Sequence, residues 1–208
     1  MTTNHPSTVI VLDDDASMLT SLDRLLTTFG FQVRTHSDAD DFLRAGPPAG
    51  PACLLLDQNL GTITGLEVHA EMRRRGWDIP TVFLTAHADT ASVVAAIRGG
   101  ADDFIAKPYN PNQLMASVAR ALQRAERVQQ QDKTLAVLRT RAAQLTERER
   151  AVVSLVVSGL LNKQIAARLK IALVTVKVHR GRAMHKLGAR SPAELARVAA
   201  LVGIGLPK

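Results

Sequence analysis

Two short apolar runs in the first third of the sequence each end in aspartate. Thr8–Leu12 leads into three consecutive aspartates, beginning with Asp13 and Asp14, and the apolar residues 52–56 lead into Asp57. Neighbouring carboxylates repel one another unless a positive group neutralises them, and a hard divalent cation such as Mg²⁺ suits that role. Asp13 and Asp14 are therefore a candidate metal-binding pair, although acidic residues after a strand also commonly begin a helix.

Two further groups suited to phosphate chemistry follow later apolar runs. Thr85 comes after Pro80–Leu84, and Lys107 comes after Asp103–Ala106. A metal held by clustered carboxylates draws off charge, so an anionic phosphoryl donor can approach and a carboxylate can attack phosphorus. The Thr85 hydroxyl and the Lys107 ammonium can each contact a phosphoryl oxygen. These residues predict formation of an acyl phosphate on Asp57.

Apolar periodicity and turn residues predict the elements that position these groups. The predicted strands are 8–12, 31–36, 52–56, 80–84 and 103–106, and the predicted helices are 18–29, 39–44, 66–75, 90–98 and 111–127. The alternation of strands and helices predicts a doubly wound, five-stranded parallel sheet with right-handed crossovers. In the order 2-1-3-4-5, the carboxyl ends of the first and third strands meet at the switch point, so the aspartates should meet there.

Residues 8–122 resemble the receiver domain of two-component response regulators, which has a flavodoxin-like (CheY-like) α/β fold. The matching motifs are L-D-D-D at 12–15, L-L-L-D at 54–57, L-T-A-H at 84–87 and D-F-I-A-K-P at 103–108. The resemblance implies that a sensor histidine kinase phosphorylates Asp57, and that catalysis is limited to this transfer and its hydrolysis. The implied Mg²⁺ ligands are Asp13, Asp14, Asp57 and the backbone carbonyl of Asn59. The implied switch and phosphate-binding residues are Thr85, Phe104 (the aromatic switch) and Lys107.

One pair departs from the receiver pattern. Leu60-Gly61 stands where such receivers usually carry a pair like Met-Pro. A glycine there is expected to loosen the loop, which would affect the lifetime of the phosphoryl group more than its formation. His87 could line the entrance and tune hydrolysis, but a bystander role is the more frequent one for a lone histidine.

The charge of the chain changes sign towards its second half. Residues 1–122 carry a net charge of −5 and residues 123–208 a net charge of +12, which suggests a polyanionic partner for the second half. Leucines and alanine at 135, 138, 142 and 145 form a short apolar seam, either a dimerising coiled coil or, as we favour, a linker helix that packs on its neighbours. The predicted division is a receiver domain at 1–125, a linker helix at 126–144 and a DNA-binding domain at 145–208.

Capping motifs predict four short helices in the basic half, typical of an all-α helix-turn-helix module. Thr146 with Glu149 and Ser191 with Glu194 form capping boxes, and Asn162 is the predicted cap of the second helix. Ala172 offers no capping side chain to the third helix, 174–187. On that third helix, five apolar residues should face the core: Leu173, Val176, Ala183, Met184 and Leu187.

Residues 145–203 resemble the LuxR-type helix-turn-helix. The motifs are L-T-x-R-E at 145–149, N-K-Q-I-A at 162–166 and T-V-K-V-H-R at 175–180, and their combination with a receiver is typical of the NarL/FixJ class. Lys177 suits guanine O6 and N7, Val178 can touch a thymine methyl, and Gly181 allows a close backbone approach. The predicted DNA-binding residues are Thr175, Lys177, Val178, His179, Gly181, Arg182, His185 and Lys186.

The sequence therefore predicts a phosphorylation-switched transcription factor that forms a homodimer on double-stranded promoter DNA, with RNA polymerase as a further possible partner. Two alternatives stay open: a DNA-binding protein with a degenerate receiver, and a metal-dependent aspartyl-phosphate enzyme, which the basic second half disfavours. One cysteine, no run of membrane-spanning length and no secretion-signal pattern at Met1–Ser7 predict a cytoplasmic protein without membrane attachment.

Overall fold

The computed structural model describes residues 7–86, 94 and 96–205. The chain divides into two compact units, Met1–Gln129 and Gln130–Lys208. Within the described ranges, no helix is both long enough and apolar enough to cross a membrane.

The first unit is built on a parallel sheet of five strands. Its strands are β1 (Thr8–Leu12), β2 (Gln32–His36), β3 (Ala52–Asp57), β6 (Thr81–Thr85) and β7 (Asp103–Ala106). The order β2-β1-β3-β6-β7 confirms the predicted topology. All six residues of β3 are buried, as its uninterrupted apolar run requires in the middle of a parallel sheet.

Helices cover both faces of this sheet and create two apolar cores. The helices are α1 (Ala16–Thr28), α2 (Ala39–Ala45) and α3 (Gly65–Arg74), followed later by α4 (Pro111–Ala143). Alternate residues of β3 point to opposite faces, so Leu55 joins the core that contains Leu22 and Val118, while Leu54 joins the core that contains Met72. Part of the helix predicted at 90–98 lies outside the described residues, which show 94 and 96–98 as helical.

A small hairpin that the sequence analysis missed follows β3. Its strands are β4 (Asn59–Leu60) and β5 (Ile63–Thr64), joined by Gly61 and Thr62. Gly61 has φ +70°, the positive angle that two-residue hairpin turns require, and Leu60 is buried in the adjacent core. The glycine therefore permits a hairpin turn, while its expected effect on the lifetime of the phosphoryl group stays a prediction.

The linker predicted at 126–144, here called the connector, continues α4 rather than forming a separate helix. Helix α4 runs for 33 residues without the predicted break after Arg127, since residues 112–143 contain neither glycine nor proline. Its early residues Val118 and Leu122 are buried in the first unit. Near its end, Ala142 is buried in the core of the second unit together with Leu145, so this part of the connector packs on its neighbours as favoured above.

Four helices complete the second unit. They are α5 (Glu147–Val157), α6 (Asn162–Leu169), α7 (Leu173–Leu187) and α8 (Pro192–Leu201). Val176, Ala183 and Leu187 of α7 are fully buried, as the helical wheel predicted. Leu173 is the exception, because its side chain is 37% exposed at the first position of the helix.

The helix starts agree with the predicted caps in two cases. Thr146 and Glu149 form the complete capping box, and Ala172 makes no side-chain cap. Two predictions need correction. The residue before α6 is Leu161, whose N–H donates to the Gln164 side chain, so Asn162 lies inside the helix. At α8, Ser191 accepts from the Glu194 N–H, but the Glu194 carboxylate accepts from the Arg190 N–H, which leaves half a box.

Candidate functional site

Three aspartates meet at the carboxyl edge of the sheet, as the topology predicted. Asp13 follows β1 and Asp57 ends β3, and both are buried, while Asp14 is exposed to solvent. One carboxylate oxygen from each of the three lies within 4.8 Å of the others. Hard oxygen ligands at this spacing, open to solvent on one side, fit a Mg²⁺ ion that keeps several of its waters.

Lys107 joins two of these carboxylates. Its Nζ donates to Asp13 Oδ2 at 2.8 Å and to Asp57 Oδ1 at 2.7 Å. Burial by itself lowers the pKa of the Lys107 ammonium, but the hydrogen bonds to Asp13 and Asp57 and their charges outweigh it and hold the pKa above its ordinary value. The site therefore contains a fixed positive charge directly beside the candidate phosphoacceptor.

Backbone amides orient the same two carboxylates. The Asp15 N–H donates to Asp13 Oδ1 at 2.9 Å, and the Asn59 N–H donates to Asp57 Oδ2 at 3.0 Å. Asp15 also caps α1 by accepting from the N–H of Ser17. Asn59 lies beside Asp57, while the role of its carbonyl as a metal ligand stays a prediction.

Gly65 allows the start of α3 to approach the phosphoacceptor strand. A Cβ atom at this position would lie 2.3 Å from the carbonyl oxygen of Asp57 and 3.2 Å from Leu56 Cγ. The Gly65 N–H donates to the Gln58 carbonyl at 2.8 Å. No role was predicted for Gly65, and the signal that could have indicated one is a glycine eight residues after Asp57.

The two predicted switch residues lie on neighbouring strands. Thr85 ends β6 and is buried, and its carbonyl accepts from the Lys107 N–H at 2.6 Å. Phe104 in β7 is half-buried and stacks on Phe83 at 6.2 Å between ring centroids. Phe83 in turn meets the edge of His69, a buried residue of α3. The L-T-A-H residue His87 lies outside the described residues.

Helix α7 presents part of the predicted DNA-binding surface to solvent. Lys177, Arg182 and His185 are exposed, and Val178 is 44% exposed despite its apolar side chain. A Cβ atom at Gly181 would meet nothing within 4 Å, so the helix surface is open there. Thr175 is half-buried at the edge of the same face.

Two residues predicted to bind DNA are placed differently. Lys186 donates to Glu149 Oε2 at 2.6 Å and to the Gln144 carbonyl at 3.0 Å. His179 is half-buried, and its Nδ1 is enclosed without a hydrogen-bond partner among the described residues. The reason is helical spacing, because His179 lies three residues after Val176 and four before Ala183, on the core side. Both stay predictions as DNA contacts, because contacts within the protein do not test contacts with DNA.

The Lys186 contact ties α7 to the start of α5. Glu149 is 3% exposed, and its carboxylate also accepts from the Thr146 N–H at 2.9 Å. Burial raises the pKa of Glu149, but the hydrogen bond from Lys186, that from Thr146 and the Lys186 charge outweigh it and hold the pKa below its ordinary value. A second hydrogen bond holds α7 to α6, because Arg180 Nη1 donates to Asn162 Oδ1 at 2.9 Å. No role was predicted for Arg180 from the sequence.

Comparisons with known proteins agree with the domain type predicted for each half of the chain. A family model described as the response regulator receiver domain matches residues 9–119, and one described as bacterial regulatory proteins of the luxR family matches residues 143–199. Nodulation protein W of Bradyrhizobium diazoefficiens is 39% identical over 196 residues, covering 94% of this chain and 86% of that protein.

Two further similarities cover nearly the whole chain. The transcriptional regulatory protein FixJ of Azorhizobium caulinodans is 37% identical over 196 residues, covering 94% of this chain and 93% of that protein. The solved structure of the response regulator StyR superposes with a TM-score of 0.83 at 38% identity, covering 94% of this chain and 99% of that one.

The fold and the acidic site define a two-component response regulator. The chain belongs to the NarL/FixJ class, in which a receiver domain is followed by a LuxR-type DNA-binding domain, so the predicted family and fold class are confirmed. A receiver domain implies a histidine kinase partner, and a LuxR-type domain implies DNA binding.

Proposed function

We propose that a sensor histidine kinase phosphorylates Asp57 in a Mg²⁺-dependent reaction, and that this modification promotes homodimerisation and promoter binding. The observation that carries the proposal is the Asp57 carboxylate, held 2.7 Å from Lys107 Nζ at the edge where Asp13 and Asp14 also lie. Asp13, Asp14, Asp57 and the Asn59 carbonyl are the proposed Mg²⁺ ligands.

In the proposed reaction, one Asp57 oxygen attacks the phosphorus of a phosphohistidine. An oxygen–phosphorus bond forms as the nitrogen–phosphorus bond breaks, and the imidazole leaves with the electron pair. Bound Mg²⁺ would neutralise charge on the transferring phosphoryl group. Lys107 stays charged and contacts one phosphoryl oxygen, while the Asn59 N–H keeps the carboxylate oriented. Hydrolysis by water returns the aspartate and inorganic phosphate.

The proposed switch follows from the neighbouring strands. A phosphoryl oxygen draws the Thr85 hydroxyl inward, and Phe104, paired with Phe83 in the sheet register, moves into the space that opens. We propose that the altered receiver surface permits dimerisation. RNA polymerase is a further proposed partner.

We also propose a division into a receiver at 1–125, a linker helix at 126–144 that continues α4, and a DNA-binding domain at 145–208. The proposed DNA contacts are Thr175, Lys177, Val178, His179, Gly181, Arg182, His185 and Lys186. Lys177 would donate to guanine O6 and N7 and Val178 would touch a thymine methyl, while Gly181 would allow close backbone approach and the flanking residues contact phosphates.

The first test is the intact mass of the full-length protein after incubation with Mg²⁺ and acetyl phosphate. We expect one added phosphoryl group on the wild type, none on Asp57→Asn, and none when EDTA replaces Mg²⁺. The Asp78→Asn variant is a matched control, because Asp78 is a half-exposed aspartate paired with Arg73 and lies outside the acidic cluster; it should still be modified.

The second test compares phosphorylated and unmodified protein for solution mass and for binding to an operator selected from random DNA. We expect a higher mass average and tighter binding after phosphorylation. The absence of any adduct at short times would instead favour a receiver that acts without phosphorylation. An adduct that changes neither solution mass nor operator binding would contradict the proposed switch.

A further inference from the structure

The middle of helix α7 is tied to the beginning of α6 by one side-chain hydrogen bond. Arg180 Nη1 donates to Asn162 Oδ1 at 2.9 Å, and both residues are half-buried. Asn162 is the first residue of α6. The bond therefore joins α7, the proposed recognition helix, to the amino end of α6. The two helices also share a small core that includes Ile165 and Val176.

The Arg180 bond is not an ion pair. Its acceptor is a neutral amide, and within the described part of the chain Arg180 has no carboxylate partner. The amino end of a helix carries partial positive charge, so electrostatics alone would not place a guanidinium there. The amide oxygen instead fixes the direction of the guanidinium, because arginine donors are held in a rigid planar fork.

Arg180 lies between the core side and the exposed side of α7. It follows the buried Val176 by four residues and the exposed Lys177 by three, so it adjoins both faces. Near the carboxyl end of α7, Lys186 donates a hydrogen bond to Glu149 of α5. The recognition helix is thus tied to α6 at its middle and to α5 near its end.

We propose that Arg180 is a positioning residue for base recognition, acting through Asn162. The bond fixes the rotation of α7 about its axis relative to α6, and with it the direction in which Lys177 and Val178 meet base edges. This inference rests on the proposed DNA-binding function of α7. Loss of the bond should relax discrimination between operators while leaving the number of phosphate contacts unchanged.

The competing role for Arg180 is a direct phosphate contact, and salt dependence separates the two. Each phosphate contact contributes about one to the slope of log affinity against log salt concentration. Loss of a positioning residue lowers the ratio of specific to non-specific affinity and leaves that slope unchanged. Loss of a phosphate contact weakens specific and non-specific binding together and lowers the slope.

The experiment uses full-length protein, an operator selected with the wild type and a scrambled duplex, over a series of salt concentrations. Arg180→Met and Asn162→Ala should each lower the specific-to-scrambled affinity ratio roughly tenfold, and the double variant should lower it no further than either single variant. Arg182→Met is the matched control, because the exposed Arg182 is a proposed phosphate contact; it should lower both affinities and reduce the slope by about one.

Asn162→Asp keeps the acceptor oxygen and should retain the wild-type ratio, even though its added negative charge weakens binding to both duplexes. This variant and Asn162→Ala carry the test if Arg180→Met does not fold. The proposal is overturned if Arg180→Met behaves like Arg182→Met while Asn162→Ala has the wild-type ratio. Failure of the wild type to prefer any duplex would refute the proposed DNA recognition itself, which is a different result.

Discussion

Replacing Gly65 by alanine tests whether the start of α3 is pressed against the phosphoacceptor strand. An alanine in an open helix position stabilises a protein by about 1 kcal/mol relative to glycine. At Gly65, however, the new Cβ would lie 2.3 Å from the Asp57 carbonyl oxygen, about 1 Å inside ordinary van der Waals contact. The obstacle is backbone rather than a flexible side chain, so α3 or β3 must move.

The difference between these two effects gives the expected change in the free energy of unfolding. Overpacking of this kind costs about 1–3 kcal/mol, and a backbone conflict belongs at the upper end of that range. After the helix-propensity gain is deducted, we expect Gly65→Ala to destabilise the first unit by about 2 kcal/mol. With a urea dependence of about 2 kcal/mol per molar, the unfolding midpoint should fall by about 1 M.

The single tryptophan, Trp77, makes this measurement specific to the first unit. It packs against Phe42 in the core beside α3, so its fluorescence during urea unfolding of the full-length protein reports that unit. Gly181→Ala is the matched helical control, because a Cβ there meets nothing within 4 Å. It should leave the Trp77 transition unchanged and stabilise the second unit, followed by circular dichroism, by about 1 kcal/mol. A higher Trp77 midpoint in Gly65→Ala would refute the close approach.

Three other outcomes are expected. Burial raises the pKa of the Cys53 thiol to about 12, so iodoacetamide at pH 8 should label native protein far more slowly than urea-unfolded protein; equal rates would contradict the buried thiol. Burial, with a smaller effect of Arg73, lowers the pKa of His69, so the unfolded chain binds more protons and the stability of the first unit should fall as pH drops below about 6.5. The Trp77 midpoint at pH 7.5 and 5.5 measures this, and a His69→Gln variant with undiminished pH dependence would assign the effect elsewhere. Ala172→Ser should add the missing cap to α7 and stabilise the second unit by about 1 kcal/mol; an unchanged or lower midpoint by circular dichroism would show that the hydroxyl does not reach the helix amides.

The acidic site could be predicted from sequence because its parts share one topological rule. Asp13, Asp57, Thr85 and Lys107 each end or follow a strand, and parallel strands bring their carboxyl ends to one edge. Nothing in that rule reports distances, so the direct ion pairs of Lys107 with two aspartates appeared only in the structure.

What could not be predicted depends on contacts between residues far apart in the chain. The helical wheel of α7 separated polar from apolar residues. It could not indicate that Lys186 donates to the Glu149 carboxylate, 37 residues away, or that Arg180 donates to Asn162. A polar side chain on a helix is thus ambiguous until its neighbours are known. The hairpin after β3 was missed for another reason, since two-residue strands carry too few residues for periodicity to register.

The unbroken helix α4 also bears on how such proteins exchange their output modules during evolution. Leu122 and Ala125 are buried in the first unit, whereas Leu138 packs against the core of the second and Ala142 lies within it. A recombination breakpoint at residue 145, where the LuxR-type motif begins, would separate the DNA-binding helices from part of their own core. A breakpoint between Ala125 and Leu138 would transfer each half with its full set of buried residues, so this short stretch is the natural place for domain shuffling.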